Sequence, residues 1–116
     1  MGDRHAARDL TALARSCYEA YANGDRHVVE DLLAEDFRFS SPADVGIDRE
    51  RYFERCWPNS TTIRSYAFPR LVQVGDEVLV TYEAERADGS RFRNTEVLGF
   101  EGGKLKAVEV YFGWDL

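Results

Sequence analysis

The sequence predicts an α+β fold, with helices first and an antiparallel sheet after them. Three observations carry this. Before Pro58 the apolar positions repeat at three- and four-residue spacing, and beyond it they alternate with period two. The alternating segments are separated by glycine-bearing turns and not by helices, which excludes a βαβ order.

Residues 4–23 place Leu10, Leu13, Ala14, Cys17, Tyr18 and Tyr21 on one helical stripe. Asn23-Gly24 ends that helix, because glycine enters the left-handed conformation without a Cβ penalty. Asp25 is placed to cap a second helix carrying Val28, Val29, Leu32 and Leu33 on one face. Phe37-Arg38-Phe39-Ser40 alternates as a short strand, and Ser41-Pro42-Ala43-Asp44-Val45-Gly46 has the chemistry of a loop. Asp48 caps a third helix with an aromatic face of Tyr52, Phe53, Cys56 and Trp57, stopped by Pro58. Strands are then expected at 62–74, 77–86, 92–100 and 104–112, joined at Gly75-Asp76, Asp88-Gly89 and Gly102-Gly103. With no linker, repeat or low-complexity tract, residues 1–116 read as one domain.

Six Tyr, seven Phe and two Trp supply either a bulky core or the wall of a cavity for a ring-shaped ligand. A net charge of −6 argues against nucleic acid as a partner, since a phosphate-reading surface needs clustered Lys and Arg. No apolar run approaches the length of a bilayer span, and the N-terminus lacks the apolar region of a signal peptide. Cytoplasmic placement follows, with Cys17 and Cys56 as reduced, buried thiols. Neither His5 nor His27 stands in metal-ligand spacing, so neither a metal nor another cofactor is expected.

The expected strand 92–100 singles itself out. Alternation puts Phe92, Asn94, Glu96, Leu98 and Phe100 on one face, so two polar residues share an otherwise apolar surface. A buried carboxylate is costly unless something compensates it. Glu96 is then either a structural group, paired with Arg38 or Arg86 or capped by Asn94, or a functional one. In the functional case an apolar chamber raises its pKa until it exchanges protons near neutral pH, with Asn94 orienting the substrate.

The helix pair broken at Asn23-Gly24-Asp25, the strand running into Ser41-Pro42, the short aromatic helix and the meander ending in Val110-Tyr111-Phe112-Gly113-Trp114 together resemble a known family. The chain resembles the nuclear transport factor 2-like superfamily, and within it the SnoaL-like group that includes ketosteroid isomerases. The resemblance implies a strongly curved sheet wrapped around three helices, leaving a conical pocket for a small hydrophobic ligand. Cys17, Tyr21, Cys56, Trp57, Tyr82, Val108, Val110 and Phe112 would line it. Glu109 and Tyr111 would face the other side of the sheet, through which such proteins form homodimers.

The scaffold hosts isomerases, dehydratases, cyclases, epoxide hydrolases and plain binding domains. In the isomerases a helical tyrosine, a carboxylate before a proline and a strand acid cooperate, and the resemblance carries these positions onto Cys17, Ser41 and Glu96. Only the strand acid keeps its chemistry, because a serine hydroxyl takes a proton near neutral pH only when another group activates it. Asp44 lies in the same loop as Ser41, as a substitute base or a turn former. The epoxide hydrolases' arginine and acid, two residues apart, correspond to Asn94 and Glu96, so the arginine is missing. The expectation is therefore a small-molecule pocket protein with cofactor-free proton-transfer chemistry at Glu96, Asn94, Ser41 and Asp44, or a non-catalytic binding or dimerisation domain.

Overall fold

The computed structural model describes residues 9–116. Residues 4–8 of the expected first helix, His5 among them, lie outside the described residues. Helix α1 runs Leu10–Asn23 and starts where the Asp9 carboxylate accepts the backbone N–H groups of Thr11 and Ala12. It ends on Gly24 at φ 69°, the left-handed cap the sequence calls for.

Helix α2 is Arg26–Leu32, one residue shorter than its apolar stripe implies. Leu33 adopts φ −83°, ψ 134° and opens strand β1, Leu33–Ser40. A two-residue strand β2, Ile47–Asp48, which period-two alternation is too short to reveal, pairs antiparallel with β1. Helix α3, Arg49–Arg55, is capped by the Asp48 carboxylate and continues as a 3₁₀ turn over Trp57–Thr62. Strands β3 (Ile63–Val74), β4 (Glu77–Arg86), β5 (Arg91–Glu101) and β6 (Lys104–Asp115) form the meander.

All six strands share one sheet in the order β2-β1-β6-β5-β4-β3. The β1–β6 pair is parallel, so the sheet is mixed and not wholly antiparallel as expected. Alternation marks a strand's two faces but not its partner, and β1 reaches β6 only after the chain has passed through α3 and the whole meander. Register shifts interrupt β1–β6 between Leu33 and Arg38, β3–β4 between Ala67 and Arg70, and β5–β6 between Arg93 and Asn94. Such irregularities bend strands, in keeping with a sheet curved around its helical layer.

The inner face carries the core. Val78, Val80, Tyr82 and Ala84 of β4, Leu98 and Phe100 of β5, and Leu105, Val108 and Val110 of β6 pack with Phe37 beneath α1. Phe37, Leu98, Val78 and Val80 are the largest side chains removed completely from solvent. The core closes one end of the sheet. Toward the other end, near Arg86, Phe92 and Phe112, a cavity opens.

Candidate functional site

A cavity of about 690 Å³ lies between the inner sheet face, α1, α3 and the 41–46 loop. That is ample for a ring-bearing small molecule. Most of its wall is apolar or aromatic, and Glu96 and Asp44 are the acids that line it among the described residues.

Glu96 sits on β5 between Val80 and Val110 of the neighbouring strands. It is half-buried and lines the cavity. The Tyr18 hydroxyl on α1 donates to Glu96 Oε1 at 2.8 Å, and the Tyr82 hydroxyl on β4 donates to Oε2 at 2.9 Å. Asn94 makes no hydrogen bond to Glu96. Its Nδ2 donates to the Tyr82 oxygen at 3.1 Å, while its Oδ1 accepts the Gly113 backbone N–H at 3.0 Å. That second bond fixes the amide orientation and hence the direction of the Tyr82 proton. Position 113 must be glycine, because a Cβ there would overlap the Arg93 carbonyl oxygen.

Desolvation pushes the Glu96 carboxyl above its ordinary 4.5; the two tyrosine donors pull it back without prevailing. Burial and the neighbouring Glu96 charge push Tyr18 and Tyr82 far upward, so both remain O–H donors throughout the working pH range. Among the described residues no arginine pairs with Glu96. Arg38 is exposed and bonds the Phe37 carbonyl, and Arg86 lies over the Phe92 ring at the cavity's mouth. The ion pair considered from the sequence is therefore replaced by two phenols.

Ser41 and Asp44 both border the cavity. The Ser41 Oγ accepts the backbone N–H groups of Ala43 and Asp44, which organises the loop. The Asp44 carboxylate lies 2.7 Å from Arg55 Nε, and its side chain is 17% exposed. Cys17 and Cys56 line the wall, and burial pushes their thiols up to about 12 and about 11, which keeps them protonated. Tyr21 spends its hydroxyl on the Cys56 carbonyl at 2.7 Å. Tyr82, Val108 and Val110 form the wall, and Phe112, 61% exposed, forms the rim.

Trp57 is the exception among the expected lining residues. It stands behind the wall, edge-on to Tyr21 and tilted against Phe53, because the backbone tightens to 3₁₀ geometry at Trp57 and turns it off the α3 stripe.

The SnoaL-like domain family model matches residues 14–108. The chain belongs to the SnoaL-like family. Among solved structures it is similar to IdmH, a candidate polyketide cyclase from Streptomyces antibioticus, at 19% identity over 89% of this chain and 91% of that one, TM-score 0.72. It is also similar to an epoxide hydrolase of M. tuberculosis, at 17% identity over 86% and 79% of the two chains, TM-score 0.71. A cystatin-fold protein from Novosphingobium aromaticivorans matches at 19% identity over 89% and 97%, TM-score 0.71. At these identities the likeness is one of fold. No curated protein matches the chain.

In this SnoaL-like domain the phenol that reaches Glu96 from α1 is Tyr18, which the sequence did not single out. The helical position carried onto Cys17 falls one residue away from it. Tyr52 and Tyr66 were also missed as cavity groups. Both residues line the SnoaL-like cavity, and their hydroxyls have no hydrogen-bond partner among the described residues. Their signal was the aromatic excess, which reads equally well as core.

Proposed function

We propose that this SnoaL-like domain, spanning the whole chain, binds a small hydrophobic molecule and moves a proton on it without a cofactor, in an isomerisation, cyclisation or dehydration. One observation carries the proposal. Glu96 faces a largely apolar cavity, has no cationic partner among the described residues and is aimed by two phenols. A carboxyl group so placed holds its proton to higher pH than usual and can take or return it at a substrate carbon or oxygen.

In this scheme Glu96 is the acid–base group, and Asn94 acts by orienting Tyr82. Tyr66 and Tyr52 are free to donate to a substrate oxygen. Ser41 supports the loop, and Asp44 with Arg55 forms a charged rim. Turnover by Glu96→Gln against a panel of cyclic enones and epoxides tests the assignment. A fall of at least about a hundredfold is the expected loss for a positioned acid–base group. Unchanged turnover of an accepted substrate would remove Glu96 from the mechanism.

One observation favours a non-catalytic binding role instead. Each Glu96 oxygen already accepts a phenol, so the network is complete without substrate. Retained ligand affinity with no turnover in the wild type would support that role.

Homodimerisation through the outer sheet face belongs to the same proposal. Val72, Leu79, Val97 and Glu109 lie in one cross-strand row, and Arg70, Thr81, Thr95 and Tyr111 in the next. Leu79 and Tyr111 are 39% and 55% exposed, and Trp114 near the strand end 62%. Tyr111→Arg is expected to elute as a monomer, and an unaltered dimer would exclude this face. The two free thiols in the cavity support the expectation of a reducing, cytoplasmic setting.

A further inference from the structure

We infer that the ligand of this cavity is an anion: a ring-bearing carboxylate whose charged end is held at the mouth by Arg86. The inference rests on the reading of the cavity as a ligand site and adds the ligand's charge and polarity.

Arg86 closes β4 on the inner face, in line with Ala84, Tyr82 and Val80, and it borders the cavity. Its guanidinium carbon lies over Phe92, 4.2 Å from the ring centroid. Stacking occupies the face of the group and leaves its N–H edge for other partners. Of five N–H donors, one makes a long bond of 3.3 Å to Ser90 Oγ. Among the described residues no carboxylate lies within ion-pair distance of Arg86.

Of the acids nearby, Asp88 accepts the backbone N–H and hydroxyl of Ser90 and feels Arg86 beyond ion-pair distance, Glu85 lies toward Arg64 on the outer face, and Asp44 holds Arg55. Arg86 is thus a half-buried cation with no ion-pair partner among the described residues and most of its N–H fork unspent. A carboxylate satisfies that fork bidentately.

The rest of the cavity sets the other end of the ligand. Tyr66 stands opposite Ala84, two residues inward from Arg86 along β4, and Tyr82 is four residues inward. At roughly 3.3 Å per residue these are about 7 and about 13 Å from the Arg86 position. Both are phenols that remain donors, Tyr66 with no protein acceptor among the described residues. The Phe92, Tyr66 and Tyr82 rings fill the interval. A flat or cyclic body carrying an acceptor oxygen, such as a ketone, at that distance from its carboxylate fits the sequence of contacts. The chain's net charge of −6 opposes anion binding at long range, but screening confines that repulsion to about 8 Å at physiological salt.

The test is a fluorescence titration with 4-(1-pyrenyl)butanoate and its uncharged methyl ester, for wild type, Arg86→Met and Arg86→Lys. The wild type is expected to bind the acid about tenfold more tightly than the ester, with the preference shrinking as salt is raised. Arg86→Met is expected to lose the preference while holding the ester as well as before, and Arg86→Lys to recover part of it. Ester binding serves as the check that each variant is folded. Equal affinity of the wild type for acid and ester would overturn the proposal while leaving the cavity reading intact, as would a preference that survives Arg86→Met. Failure of the wild type to bind either probe would overturn both.

Discussion

Replacing Glu96 by Gln should stabilise the protein increasingly as pH rises. Burial raises the folded-state pKa of Glu96 above its ordinary 4.5, so the folded state binds the proton more tightly than the unfolded chain does. Below the unfolded pKa both states are protonated and Glu96 adds no pH dependence. As pH climbs from there the unfolded chain ionises first, and stability falls by up to about 1.4 kcal/mol per pH unit. The fall stops above the folded pKa, where both states are ionised. Glutamine keeps the shape and removes the titration, although its single oxygen satisfies only one of the two phenols. The other carboxylates titrate alike in both proteins and cancel in the difference. Urea unfolding of wild type and Glu96→Gln from pH 4 to pH 8 reads this directly. The variant's relative stability should rise through the window above pH 4.5 and then level off. A difference that stays constant across the series would show that Glu96 is not desolvated and would refute the reasoning.

Tyr82→Phe removes the donor to Glu96 Oε2 and leaves Asn94 Nδ2 without its acceptor, so it should cost about 1–3 kcal/mol in urea unfolding, more at pH 8 than at pH 5. Gly113→Ala forces a methyl group into the Arg93 carbonyl, and a loss of about 1–3 kcal/mol should appear as a lower Tm; an unchanged Tm would deny the close approach of β5 and β6. Arg55→Ala breaks the rim pair with Asp44, in which Arg55 is 45% exposed, and should change stability by less than about 1 kcal/mol.

Much of this architecture is local and therefore legible in the sequence. The stripe of α1, its Gly24 cap, the three glycine hairpins and the inward face of β5 all depend on neighbours a few residues apart. What lies across space is harder to read. Tyr18 reads in the sequence only as part of the α1 stripe, yet its hydroxyl reaches Glu96 across the fold. Arg86 shares the inner face with Tyr82 and was a fair candidate to pair with Glu96. Its stack on Phe92 holds it at the mouth, a tertiary contact that alternation does not encode. Trp57 left its stripe because the helix tightened, and the parallel β1–β6 pairing joins segments some seventy residues apart in the sequence.

The central claim is that Glu96 is a desolvated, proton-exchanging carboxyl at the heart of the cavity. Its side-chain carboxyl ¹³C resonance, assigned by its disappearance in Glu96→Gln, gives the titration directly. The account predicts a midpoint clearly above 4.5 that moves higher still in Tyr82→Phe. A midpoint at or below 4.5 in the wild type would contradict it.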